Sequence, residues 1–100
     1  MELAQLTERM HRFVESKGWY RQDSPRPQLP RNLAISLAVE AGEMLELFQW
    51  TEDPEPNELA GELADIALYL LQLAAVSNID LEQAILTKLA NNQDRDWPGA

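Results

Sequence analysis

One hundred residues allow one domain, 1–100, with a core so marginal that oligomerisation is a common remedy. The chain has no cysteine and a single histidine, His11, which excludes disulfides, thiolate zinc sites and a cysteine nucleophile and suits a reducing cytoplasm. A net charge of −9 argues against a nucleic-acid polymer as partner, because phosphate contacts need clustered Lys and Arg, so a polyanionic ligand would have to arrive with cations of its own.

In chain order, Leu3, Leu6, Met10, Phe13 and Val14 recur at three- and four-residue steps and predict a first helix over 2–17, stopped by Gly18. RQDSPRPQLP (21–30) has three prolines and no helical period, so it reads as an extended connector or lid able to cover a site. Leu33, Leu37, Ala41, Met44, Leu45 and Phe48 predict a second helix over 32–49, ending near Trp50 and the turn Asp53 to Pro56. A third helix follows from Asn57, a good N-cap residue, to about Ser77. The fourth starts after Asp80, with Gln83 at the third helical position of a capping box, and fades over 91–94. The tail DRDWPGA is expected to be loosely ordered, with Trp97 able to dock on a neighbour. No strand alternation or repeat is visible, so the fold class is all-α and four-helix bundle-like. Asp65 and Tyr69 interrupt the longest apolar run and the amino terminus lacks signal-peptide order, so a soluble, unprocessed chain without a membrane partner is expected.

The third helix is apolar nearly all round, as a buried helix is, yet it carries Glu62 and Asp65 three residues apart on one face, with Tyr69 and Gln72 continuing the stripe. The second helix matches it with Glu40 and Glu43, and Glu46 one turn on. A short proline-containing link makes the two helices neighbours, so both acidic pairs can converge. No basic residue occurs between Glu40 and Thr87 to neutralise them. Four facing carboxylates form an oxygen-rich site for a hard divalent cation, and the lack of a Glu-x-x-His pair favours magnesium over iron or manganese. A solvated acidic face is the competing reading, and it is stronger for Glu40 and Glu43 than for the buried pair.

EAGEMLELFQW (40–50) followed by ELADIALYLLQLA (62–74) resembles the ExxE and ExxD signature of the MazG-like all-alpha nucleotide pyrophosphohydrolases, most closely the compact dCTP pyrophosphatase branch. Gly18 and Trp19, PRNL (30–33) and KLANN (88–92) extend the likeness over most of the chain. The resemblance implies that Glu40, Glu43, Glu62 and Asp65 bind Mg2+, with Mn2+ as a substitute, and that the metal chelates a nucleoside triphosphate. Water would then attack the α-phosphorus, releasing the monophosphate and pyrophosphate. Apart from the resemblance, a carboxylate not fully engaged with metal could orient that water, and Glu43 or Glu46 is the candidate. By matching position Trp19 and Trp50 would wall the base pocket, while Tyr69, Lys88 and Asn92 would make further substrate contacts. Each has a plain alternative: the tryptophans as closures of the core, Tyr69 as a hydrogen-bonding residue inside the bundle, and Lys88 as a cation favoured by the helix dipole.

Two departures from the family pattern stand out. Relatives often carry a histidine in the first helix, but Met10 holds that place and His11 lies about 100° around the helix, so no role falls to it. Of the arginine-rich stretch that often follows the fourth-helix asparagine, only Arg95 remains as a phosphate-binding charge. Surplus apolar surface on the third helix, assigned to Leu68, Leu71 and Ala75, predicts a homodimer or homotetramer. The competing functional class is a non-catalytic helical module that senses a nucleotide or binds a protein.

Overall fold

Apolar periodicity and turn chemistry divide the described residues, 1–96 and 98–99 of this computed structural model, into four helices and no strand. These are α1 (Leu3–Ser16), α2 (Pro30–Glu46), α3 (Pro56–Val76) and α4 (Leu81–Asp94), so the all-α expectation holds. Trp97 lies outside the described residues.

The helix ends follow local rules, with two shifts from the sequence reading. At the end of α1, Gly18 adopts a φ of +74°, which a residue with a Cβ reaches only under strain. Its N–H donates to the Glu15 carbonyl, and the Trp19 N–H folds back onto that of Val14, a motif that turns the Trp19 backbone toward α1. Asn78 does the same at the end of α3, with a φ of 58° and the Ile79 N–H on the Ala74 carbonyl. The second helix begins at Pro30 rather than Asn32, because a proline at the first helical position gives up an N–H that would have no partner anyway. Likewise Pro56 opens α3 and displaces Asn57 from the expected cap. Glu55 is the cap, its carboxylate accepting from the Glu58 N–H at 3.0 Å. Asp80 caps α4 as expected, accepting from Gln83 N–H at 3.1 Å, but the Gln83 side chain donates to Thr87 and does not close the box.

Helices α2 and α3 pack side by side as a hairpin, and α1 lies on α3. Their shared core is small: Met10, Val14, Leu33, Leu71 and Ala74 are the buried apolar side chains. Leu33 is the most enclosed, and its burial contributes about 2 kcal/mol. Helix α4 buries no residue and touches the rest mainly through α3. The radius of gyration is 16.2 Å, against about 13 Å for a compact chain of this length.

That open shape corrects two expectations about α3. It is not buried all round: only Leu71, Gln72 and Ala74 are enclosed, because too few neighbouring helices surround it. The surplus surface also departs in part from the sequence assignment, for Leu68 is exposed as expected but Leu71 is not. Leu71 belongs to the core of its own chain, while Leu63 and Leu70, expected on the inward side, are 50% and 40% exposed. A third expectation changes as well. By length and composition alone α3 could cross a membrane, with a mean hydropathy of 1.6 in its most apolar stretch, since two acids do not offset so many leucines and alanines.

Candidate functional site

The α2/α3 hairpin brings Glu40, Glu62 and Asp65 together, each offering a carboxylate oxygen within 4.8 Å of the others. Helical spacing puts Glu62 and Asp65 on one face of α3, and the packing of α2 turns Glu40 toward that face. Glu40 and Glu62 are half-buried and Asp65 is exposed. Oε2 of Glu40 and Oε2 of Glu62 are sealed from solvent with no hydrogen-bond partner among the described residues. Buried carboxylate oxygens without a donor are costly, and each removes the solvation that would make the other tolerable. Loss of solvation pushes the Glu40 carboxyl up to about 7, reinforced by the adjoining carboxyls of Glu43 and Glu62 and by the charges of Glu43 and Asp65. A divalent cation bound by oxygen ligands would remove that penalty, so this donor set fits one.

Glu43 is exposed and stands outside the mutually close trio, although it adjoins Glu40. Glu46, one turn on, is exposed and belongs to no such group.

Beside the acids lies a cleft of about 760 Å³ between α1, the 21–29 segment, α2 and α3. Asp65, Tyr69 and Gln72, one face of α3, form a wall of it. Trp19 faces them across the cleft. Its ring meets Phe13 edge-on at 5.7 Å, and the Arg26 guanidinium lies 5.6 Å from its centroid. The proline-containing segment lines the cleft through Pro25, Arg26, Pro27 and Gln28.

Of the expected substrate-binding residues, the fold therefore unites Trp19 and Tyr69 with Asp65 in one cleft. Trp50 does not join them within this chain: it is 89% exposed at the far end of the hairpin. Lys88, Asn92 and Arg95 sit on α4 or just past its end, away from the cleft lining.

Sequence reasoning passed over the polar floor of the cleft. Gln72 is 3% exposed and its Nε2 donates to Gln28 Oε1 at 2.6 Å and to the Tyr20 hydroxyl at 3.3 Å. The Tyr20 hydroxyl, which accepts from Gln72, also shares a hydrogen bond with His11 Nδ1. Burial raises the Tyr20 hydroxyl above its ordinary pKa, against the lowering effect of Gln72, so it stays a donor at neutral pH. His11, left without a role by the sequence, thus closes a network of four side chains. The only prior signal was a glutamine amid leucines and alanines on an apolar helix.

Comparison with known proteins places this geometry. The family model for MazG-like proteins matches residues 35–98, which hold both acidic pairs. The chain belongs to the MazG-like family. Within it, the chain is similar to dCTP pyrophosphatase 1 of Mus musculus and Bos taurus, 42% and 45% identical over alignments of 76 positions. Each alignment covers 66% of this chain, and the chain spans about 45% of the length of these curated relatives. A solved structure, a pyrophosphatase from Archaeoglobus fulgidus, superposes with a TM-score of 0.77 at 31% identity, over 91% of this chain and 88% of that one. The fold is thus shared over nearly the whole of both molecules, and the acid trio lies on α2 and α3 within the residues that the family match spans.

Proposed function

We propose that this MazG-like chain hydrolyses a (deoxy)nucleoside triphosphate, with dCTP-like compounds first among the candidates, to the monophosphate and pyrophosphate in the presence of Mg2+. The observation that carries the reading is the pair of sealed, partnerless oxygens on Glu40 and Glu62, held close to Asp65 at the edge of an aromatic-walled cleft. Similarity to dCTP pyrophosphatases and to a solved pyrophosphatase supports the reaction class.

Glu40, Glu62 and Asp65 would hold the metal, with Glu43 as a fourth ligand or as the base beside it. Bound there, magnesium supplies charge neutralisation for the phosphate oxygens. Glu43, or Glu46 if Glu43 is engaged as a ligand, orients a water toward the α-phosphorus and accepts its proton. The new P–O bond forms as the bond from the α-phosphorus to the bridging oxygen breaks, and pyrophosphate leaves with that oxygen. Trp19 stacks on the base, and Tyr69 contacts the nucleotide from α3. Trp50, Lys88, Asn92 and Arg95 act on the substrate from a second copy, since they lie off the cleft of their own chain. A homodimer or homotetramer in the cytoplasm is the form proposed to be active.

The test is a panel of canonical and modified deoxynucleoside triphosphates with magnesium, followed by phosphate detection with and without added inorganic pyrophosphatase. Signal that depends on the added pyrophosphatase is the expected result. Saturable nucleotide binding with no turnover across the panel would instead make the chain a sensing module.

A further inference from the structure

Gln72 is the single buried polar side chain among the described residues, and nothing in the metal chemistry above uses it. It lies on the α3 face that carries Asp65 and Tyr69, two turns beyond the acid trio, where it lines the cleft floor. Its amide spends one proton on Gln28 at 2.6 Å and the other on Tyr20 at 3.3 Å. Gln28 Nε2 in turn donates to the Arg26 carbonyl at 2.7 Å, and Arg26 places its guanidinium over Trp19. A continuous set of contacts therefore runs from a rigid helix to the wall of the cleft.

The segment it reaches has little else to hold it. Residues 21–29 form no helix and bury no side chain; Ser24 N–H to the Arg21 carbonyl and Arg26 N–H to Ser24 Oγ stay within the segment, and the backbone bonds that leave it, Arg21 N–H to the Gly18 carbonyl and Leu33 N–H to the Leu29 carbonyl, sit at its two ends. The Arg21–Asp23 ion pair is exposed and internal to it as well. Gln72 provides a side-chain hydrogen bond from α3 to this segment, and it is out of competing solvent, where such a bond is hardest to replace.

We propose that Gln72 is a positioning residue: through Gln28 it straps the 21–29 segment against α3 and so fixes where Trp19 and Arg26 meet a bound nucleoside triphosphate. The inference rests on the proposed function for its substrate, but its mechanical part does not. Loss of the strap weakens nucleotide binding more than it slows the chemical step, because Glu40, Glu62 and Asp65 are held by the α2/α3 hairpin about two turns away from Gln72 and keep their geometry.

The experiment compares Gln72→Leu, Gln28→Ala and the double variant with the full wild-type chain. Hydrogen–deuterium exchange should rise across 21–29 in each single variant while α3 stays protected. For whichever triphosphate the wild type turns over, KM should rise about fivefold in each single variant, the effect of one net hydrogen bond, with a smaller fall in kcat. In the double variant KM should rise little beyond that of the more affected single variant, since both substitutions remove the same Gln72–Gln28 contact. Unchanged exchange in 21–29, or KM effects that multiply in the double variant, would overturn the proposal. Gln28→Ala keeps that decision open if Gln72→Leu fails to fold. If the wild type turns over nothing, the enzymatic reading fails by itself, and the exchange measurement still decides whether the strap exists.

Discussion

At the scale of single residues, the molecule concentrates cost in a few carboxylate atoms. Glu43→Gln and Asp65→Asn should each remove magnesium-dependent pyrophosphate release, Glu43→Gln by about a hundredfold if it is the base, with the helical circular dichroism signal retained. Wild-type rates in both variants would take these residues out of the mechanism. Glu40 makes a separate prediction for the metal-free protein. Its folded-state pKa of about 7 lies above its ordinary value of 4.5, so the folded state holds a proton that the unfolded state has released between those values. The stability it contributes is full below pH 4.5 and is lost as pH rises toward 7. In chelator, Tm should therefore fall across that window, and Glu40→Gln should flatten the slope; a Tm that climbs steadily from pH 5 to 7 in wild type and is unaffected by the substitution would contradict the assignment.

Among the elements, α3 carries both the site and the structure. Its charged stripe faces α2 and the cleft, its enclosed end meets α1, and Leu63 and Leu70 face outward. Caps hold the two hairpin-to-helix junctions that keep this arrangement in register. Asp80→Ala should cost about 1 kcal/mol, read as a lower denaturation midpoint with an unchanged slope, because α4 has little packing to compensate for a lost cap. An unchanged midpoint would mean that α4 is frayed at its start regardless of its cap. Proline at the first position of α2 and of α3 explains why the sequence placed both starts one or two residues late: the N-cap signal of Asn57 is real chemistry, but Pro56 outranks it by conformation.

On the scale of the whole molecule, a 16.2 Å radius of gyration and a set of exposed large apolar side chains, among them Leu45, Leu63, Leu70 and Leu89, describe a chain that has not closed its core by itself. A second copy is the proposed closure, and light scattering at micromolar concentration should return at least a dimer mass. Leu63→Glu should shift that mass toward the monomer, because a carboxylate in an apolar interface loses its solvation without gaining a partner. A monomeric wild type would remove this proposal and, with it, the route by which Trp50 and Lys88 reach a substrate.

Much of this was legible residue by residue. Apolar spacing located four helices, Gly18 and Asp80 marked ends that depend on backbone conformation and a neighbouring carboxylate, and the ExxE and ExxD pairs followed from helical geometry with no base nearby to neutralise them. These are local properties, set by contacts within a few positions. Three features required the folded chain: the withdrawal of Glu43 from the trio that Glu40, Glu62 and Asp65 complete, the outward rather than inward facing of Leu63 and Leu70, and the joining of Gln72 to Gln28 across 44 positions. Each depends on the rotation and offset of one helix against another, and helical periodicity defines a face without saying which neighbour will cover it.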